Sequence, residues 1–229
     1  MKSIAMIGLA LGVAAVAIAM LQPAPAPKIA QPEAQTQNKK MEGSSLVVAG
    51  GCFWCVEAQF ESLKGVYQVE SAYVGGNLPN ATYEKVLTGT TGHAEAIKIF
   101  YDPKVVSEED LLNMFFVAHD PTTLNRQGPD VGTQYRSALF YEDAEQQARF
   151  MKAIKSITAE KIYNKPIVTT IEPMRNYTRA EEYHQNYFEK YEKASDAERA
   201  KMNSGYCSFV VSPKVAKFRE KYRDKLKKD

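Results

Sequence analysis

Leu46-Val47-Val48-Ala49-Gly50-Gly51-Cys52-Phe53-Trp54-Cys55 is the stretch on which the reading of the fold turns. Four apolar residues in a row read as a buried strand, and the two glycines end it in a turn. Over residues 52–64, Phe53, Val56, Phe60 and Leu63 fall near helical spacing, and Gly65 stands where a helix stops. The segment is thus a strand, a tight turn and a helix that begins at a cysteine.

Working outward, the same signals alternate. Residues 66–74 read as a strand closed by Gly75-Gly76-Asn77, residues 82–87 as a short helix, and residues 93–101 as a strand closed by Asp102-Pro103. Ser107 with Asp110 three residues on makes a capping pattern for a helix through Ala118. Residues 119–133 are turn-rich and long for a plain connection, which is where functional loops occur. A strand over 135–141, a helix over 144–162 and a strand over 167–171 follow, and then a polar, aromatic tail. Strands alternating with helices predict an α/β (α+β) two-layer sandwich, a sheet covered by helices.

Composition bounds the function. Of 229 residues, 45% are hydrophobic and 24% charged, as in a soluble domain, and the net charge of +2 argues against a general nucleic-acid binder. Three cysteines are too few for a disulfide scaffold of this size. The histidines, at 93, 119 and 184, give no second ligand pair to complete a zinc site with Cys52 and Cys55.

The ends differ from the middle. Ile4 to Leu21 carries no polar side chain, Lys2 precedes it, and Ala17-Ile18-Ala19 offers a cleavage site. Residues 1–21 therefore read as a secretory signal or an uncleaved membrane anchor, which predicts an exported, periplasmic protein or one anchored to the membrane on that side. Residues 22–45, rich in Pro, Ala and Gln, read as a flexible tether, and the folded domain spans 46–229. At its end Val215, Phe218, Tyr222 and Leu226 share a helical face behind Pro213, with eight Lys or Arg and three acids between residues 214 and 229. The expectation is a helix docked by its apolar stripe with a solvated basic face; attraction to an anionic membrane surface is the alternative.

A cysteine at a helix start meets free amides and the positive end of the helix dipole, which predicts a depressed pKa and a nucleophilic Cys52 thiolate. The alternative is a packed thiol. Cys55 lies one turn on, close enough for a disulfide or simply packed, and Cys207, beside Gly205, falls in a segment read as a mobile tail. In Thr91-Gly92-His93-Ala94-Glu95-Ala96-Ile97-Lys98-Ile99, strand alternation puts Glu95 on the face of Ile97 and Ile99. A buried carboxyl there has a raised pKa and serves as a general acid; a carboxylate satisfied by a salt bridge is the alternative. His93 reads as structural. By spacing alone the loop 128–137 and Tyr83 have no special standing.

These segments together resemble the methionine sulfoxide reductase A family, which reduces peptidyl methionine S-sulfoxide. The resemblance covers residues 46–229 and rests on Gly51-Cys52-Phe53-Trp54, Thr91-Gly92-His93-Ala94-Glu95, Gly132-Thr133-Gln134-Tyr135-Arg136-Ser137, His184-Gln185-Asn186-Tyr187 and Gly205-Tyr206-Cys207. It implies a ferredoxin-like plait with a mixed sheet, and a thiol-dependent oxidoreductase that repairs oxidised proteins and also acts on free methionine sulfoxide. Cys52 is implied as nucleophile, Glu95 as proton donor, Tyr83 and Tyr135 as hydrogen-bond donors to the sulfoxide oxygen, Asp130 as support, and Phe53 and Trp54 as the cup for the methyl group. Cys207 is implied as the thiol that first resolves the Cys52 sulfenic acid, with Cys55, where the family often has glycine, as a second-stage partner. Thioredoxin or a similar dithiol is the implied reductant. No metal or bound organic cofactor, no nucleic acid and a monomeric state are expected. A thioredoxin-like disulfide oxidoreductase is the alternative, from the C-x-x-C at a helix start.

Overall fold

The computed structural model describes residues 44–228; the signal and all but the last two residues of the tether lie outside the described residues. The chain runs β1 (Ser44–Gly50), α1 (Phe53–Glu61), β2 (Val66–Val74), α2 (Tyr83–Leu87), β3 (Ala94–Tyr101) and α3 (Glu108–Ala118). A two-residue hairpin follows, β4 (Arg126–Gln127) with β5 (Asp130–Val131), then β6 (Ser137–Tyr141), α4 (Ala144–Ala159), β7 (Thr170–Pro173) and β8 (Thr178–Arg179). The tail carries α5 (Tyr187–Lys193), α6 (Asp196–Arg199), α7 (Ser204–Tyr206) and α8 (Ser212–Lys221).

Six strands form one mixed sheet in the order β7-β6-β1-β3-β2-β8, and only the β6–β7 pair is parallel. β1 and β2 both run antiparallel to β3, which lies between them, so β1-α1-β2 is a split βαβ unit. β3 and β6 flank β1 in the same way, with α3 in the connection, which gives the plait.

Both faces of the sheet are buried, which is why β1 lacks strict alternation. One face gives Leu46, Val48, Ile97, Ile99 and Leu139 to a large cluster with Phe60 of α1, Phe115 and Phe116 of α3, Phe150 of α4 and Phe218 of α8. The other gives Ala49, Ala72, Ala94, Ala96 and Ala138, and here Met174 and Tyr177 pack from a loop. Val47, Val74 and Phe140 complete this smaller cluster. Ser107 and Asp110 form the capping box expected of them. The last helix docks through buried Val215 and Phe218, and Leu226 pairs with Leu63 at the end of α1.

Several expectations are corrected. Tyr135 and Arg136 are not in the strand: Thr133–Tyr135 is a 3-10 turn closed on Gly132, and Arg136 pairs with Glu172 through two 2.9 Å hydrogen bonds. The strand over 167–171 begins at Thr170 instead, because Val168 donates to Pro121 O in a loop rather than to β6. α4 stops at Ala159, since Lys161 adopts φ +54° and turns the chain before Ile162. Cys207 is not in a mobile tail. It is fully buried at the start of a π-helical turn, Cys207–Val211, between α7 and α8.

The turn after β1 depends on Gly51, whose φ is +96°; a Cβ there would lie 2.5 Å from Cγ of Gln127. Gly51→Ala is expected to destabilise the fold by about 1–3 kcal/mol through backbone strain and contact with that side chain. Urea unfolding at neutral pH measures it, and wild-type stability would mean that the turn relaxes freely.

Candidate active site

The turn carries Cys52 to the end of the sheet. Cys52 caps α1 without a side-chain hydrogen bond to it. The first amide of the helix, Phe53 N–H, donates instead to Glu95 Oε2 at 3.1 Å. Glu95 stands on β3 opposite Tyr73 of β2, on the helix-covered face as the alternation requires, and is 2% exposed. Burial, then the charge of Cys52, raises its pKa well above the ordinary carboxylate value, and the Phe53 amide offsets only part of this. Glu95 is therefore biased toward its protonated form beside a thiol.

The helix start does not depress the pKa of Cys52, contrary to the expectation from sequence. Its thiol lies in the apolar cluster, and burial followed by the Cys55 thiol pushes it up. Cys55 moves the other way: the Cys52 thiol donates toward it, and the Lys214 cation acts in the same direction. In this pair the proton rests on Cys52 and the first charge develops on Cys55. Cys207 is pushed up to about 11 by burial and by Cys52.

Three hydroxyls converge on this acid–thiol pair. Tyr83, at the start of α2, is raised to about 12 by burial and then by Glu95 and Cys52. Tyr135, on the 3-10 turn, is pushed up by burial and the same two charges. Tyr206 donates to Asp130 Oδ2 at 2.7 Å and also bears on the Cys52 thiol. Asp130 thus meets this group through Tyr206.

Phe53 and Trp54 build an aromatic wall. Trp54 stacks on Tyr187 at 3.8 Å with 5° between the planes, meets Tyr206 edge-on at 5.9 Å, and donates from Nε1 to His184 Nδ1 at 3.1 Å. Phe53 lies 4.9 Å from the His184 ring and 5.8 Å from Tyr73. Burial lowers the pKa of His184 to about 4, so at neutral pH it is an uncharged acceptor for Trp54. Glu181 binds the wall to the sheet, accepting from Tyr73 Oη at 2.7 Å and from Tyr83 N–H at 2.9 Å.

All of the sequence-predicted residues Cys52, Phe53, Trp54, Cys55, Tyr83, Glu95, Asp130, Tyr135 and Cys207 belong to this one assembly. Sequence reasoning assigned no role to His184, Glu181, Tyr187, Tyr206 or Gln127. The density of aromatics over residues 177–191, and the place of Tyr206 beside a cysteine, were the available signals.

A buried acid, an ionisable thiol pair and a third cysteine in one apolar cleft define a thiol-dependent oxidoreductase. Among the described residues no cluster of His, Cys, Asp and Glu could hold a metal ion. The sequence profile described as peptide methionine sulfoxide reductase matches residues 44–226. Peptide methionine sulfoxide reductase MsrA of Deinococcus radiodurans is 50% identical over 181 residues, which covers 79% of this chain and 83% of that protein. The MsrA of Polynucleobacter asymbioticus is 48% identical over 176 residues, covering 77% and 87%. Among solved structures, reduced Mxr1 from Saccharomyces cerevisiae aligns with TM-score 0.62 and 34% identity over 67% of this chain and 88% of that one. Methionine sulfoxide reductase A of Corynebacterium diphtheriae aligns at 0.59 and 32%, covering 67% and 77%. The chain belongs to the peptide methionine sulfoxide reductase family, and its activity is the reduction of methionine sulfoxide to methionine. The thioredoxin-like alternative finds no support in these comparisons.

The raised pKa of Glu95 has a consequence for stability. A carboxyl whose folded pKa lies above its unfolded value stabilises the fold at low pH, and that contribution is lost as pH rises through the folded pKa. Glu95→Gln is therefore expected to become progressively more stable relative to wild type as pH rises. Urea midpoints at pH 6 and pH 9 measure this, and a constant difference would mean that Glu95 is already ionised in the folded protein at pH 6.

Proposed function

We propose that Cys52 attacks the sulfoxide sulfur while Glu95 protonates the sulfoxide oxygen. The observation that carries this is the hydrogen bond from Phe53 N–H to Glu95, which holds a protonated carboxyl one residue from the nucleophile. Tyr83 and Tyr135 donate to the oxygen, Asp130 fixes Tyr206 beside the thiol, and Phe53 and Trp54 receive the methyl group. The substrate is methionine S-sulfoxide in oxidised proteins, and free methionine sulfoxide. Cys52 attacks as the thiolate fraction of a thiol whose pKa is raised at rest. The sulfoxide is reduced to the thioether, and Cys52 takes the oxygen as a sulfenic acid.

The sulfenic acid is then resolved by a thiolate, with loss of water. The lowered pKa of Cys55 and its place beside Cys52 support Cys55 for this step, the reverse of the order expected from the family resemblance. Cys207 would then exchange onto Cys55, free Cys52 and present the disulfide to an external dithiol of the thioredoxin kind, which supplies two electrons and two protons. No bound cofactor takes part, and the protein works as a monomer. The apolar run from Ile4 to Leu21 supports export, with the enzyme in the periplasm or anchored facing it and served by an exported reductant. Among the described residues no helix is long and apolar enough to cross a membrane.

Turnover with dithiothreitol on both epimers of a peptidyl methionine sulfoxide tests the reading. The S epimer alone should be reduced, Cys52→Ser should abolish the reaction, and Glu95→Gln should slow single turnover by about 10²–10⁴. A slowing of Glu95→Gln below about threefold would pass the acid role to a tyrosine.

The order of the thiols is read by mass spectrometry after one equivalent of substrate. Cys207→Ser should still close Cys52–Cys55 at the wild-type rate. A Cys52–Cys207 bond formed first in the wild type would restore the order expected from sequence.

A further inference from the structure

Glu57 lies one turn and a half beyond Cys52 on α1 and is 1% exposed, yet the mechanism above does not use it. Its Oε1 accepts from Ser71 Oγ of β2 at 3.1 Å, and its Oε2 accepts from Tyr187 N–H at 3.3 Å. The Asn186 backbone also bears on it. Tyr187 is the residue whose ring lies flat on Trp54. Asn186, just before it, sits in the left-handed region at φ +52°, so the chain makes a sharp turn where Glu57 grips it. Gln185 completes the attachment, accepting from Ser71 N–H at 3.0 Å and donating to Ser71 O at 2.9 Å.

We propose that Glu57 is a positioning residue of the substrate cup: its carboxylate holds the backbone at Tyr187, and so keeps the Tyr187 ring against Trp54 in the arrangement that receives the sulfoxide's methyl group. The proposal rests on the reading of Trp54 as part of that cup. An apolar residue would fill the same space but would leave the Tyr187 amide buried without an acceptor. A carboxylate serves two donors on two separate elements at once, which joins the tail to both α1 and β2.

Glu57 also makes the grip dependent on pH. The charged group that acts on it is Glu61 of its own helix; from β2 it meets the neutral Ser71, and from the tail the amides at Asn186 and Tyr187, with the Asn186 side-chain nitrogen facing Glu61. Burial raises its pKa to about 7, and the nearby Glu61 adds to this. Above that value both oxygens accept; below it one becomes a donor and the hold on Tyr187 weakens.

Trp54 is the only tryptophan of the chain, so its fluorescence reports the stack directly. In wild type the emission should titrate with a midpoint near pH 7, clear of His184, which titrates near 4. In Glu57→Gln the amide oxygen still accepts from Tyr187, so the emission should keep its high-pH form and lose that titration. In Glu57→Ala the emission should shift at all pH values, and KM for the sulfoxide peptide should rise about tenfold, as for one lost buried hydrogen bond, with kcat little changed. Persistence of the titration in Glu57→Gln would assign it to the Cys52–Cys55 pair and overturn the pH dependence. Wild-type emission and KM in Glu57→Ala would overturn the positioning role. Trp54→Phe, with KM read in the same assay, tests the cup separately: an unchanged KM there, with the Glu57 effects on emission intact, would sink the cup reading alone.

Discussion

The hydrogen bond between Phe53 N–H and Glu95 fixes more than its two partners. It ties the first turn of α1 to the central strand β3, in a place where an unpaired amide or carboxylate would be costly. Beside it, burial and the neighbouring Cys55 thiol push the pKa of Cys52 up. The acid and the thiol therefore meet with the protons on both. Burial thus disfavours the charged form of both groups at rest.

The rest of the architecture holds this arrangement. Gly51 turns the chain in contact with Gln127, whose amide spans Asp120 N–H and O at 3.2 and 3.1 Å, so the long loop after α3 backs the nucleophile. The tail wraps over the other side and supplies Glu181, His184, Tyr187 and Tyr206. Their hydrogen bonds run to β2, α1, α2 and β5, so a segment with few regular elements is nonetheless anchored. Aromatic rings at 3.8–5.9 Å build an apolar wall around Trp54.

The three cysteines differ by environment rather than by kind. Cys52 is raised by burial beside another sulfur, Cys55 is lowered by the hydrogen bond it receives and by Lys214, and Cys207 is raised to about 11 by burial. The π-helical turn that Cys207 opens is a shifted helical register of the kind that recurs at functional sites.

Local pattern was enough to determine the strand-turn-helix around Gly50-Gly51-Cys52, the bounds of β2, the capping box at Ser107 and the face of β3 that carries Glu95. Each follows from periodicity or from a residue's own backbone preference, which neighbours in sequence decide. The raised pKa of Cys52 was not legible, because it comes from burial in the folded core and from the Cys55 thiol packed beside it. Tyr135 read as a strand residue because the apolar run Ala138-Leu139-Phe140-Tyr141 follows closely; a turn closed on Gly132 and the Arg136–Glu172 pair set its course instead. Nothing in its spacing set Glu57 apart from other acids. Only the packing of β2 and the tail over α1 put it out of water, because burial and hydrogen-bond partners are properties of what is brought together from afar.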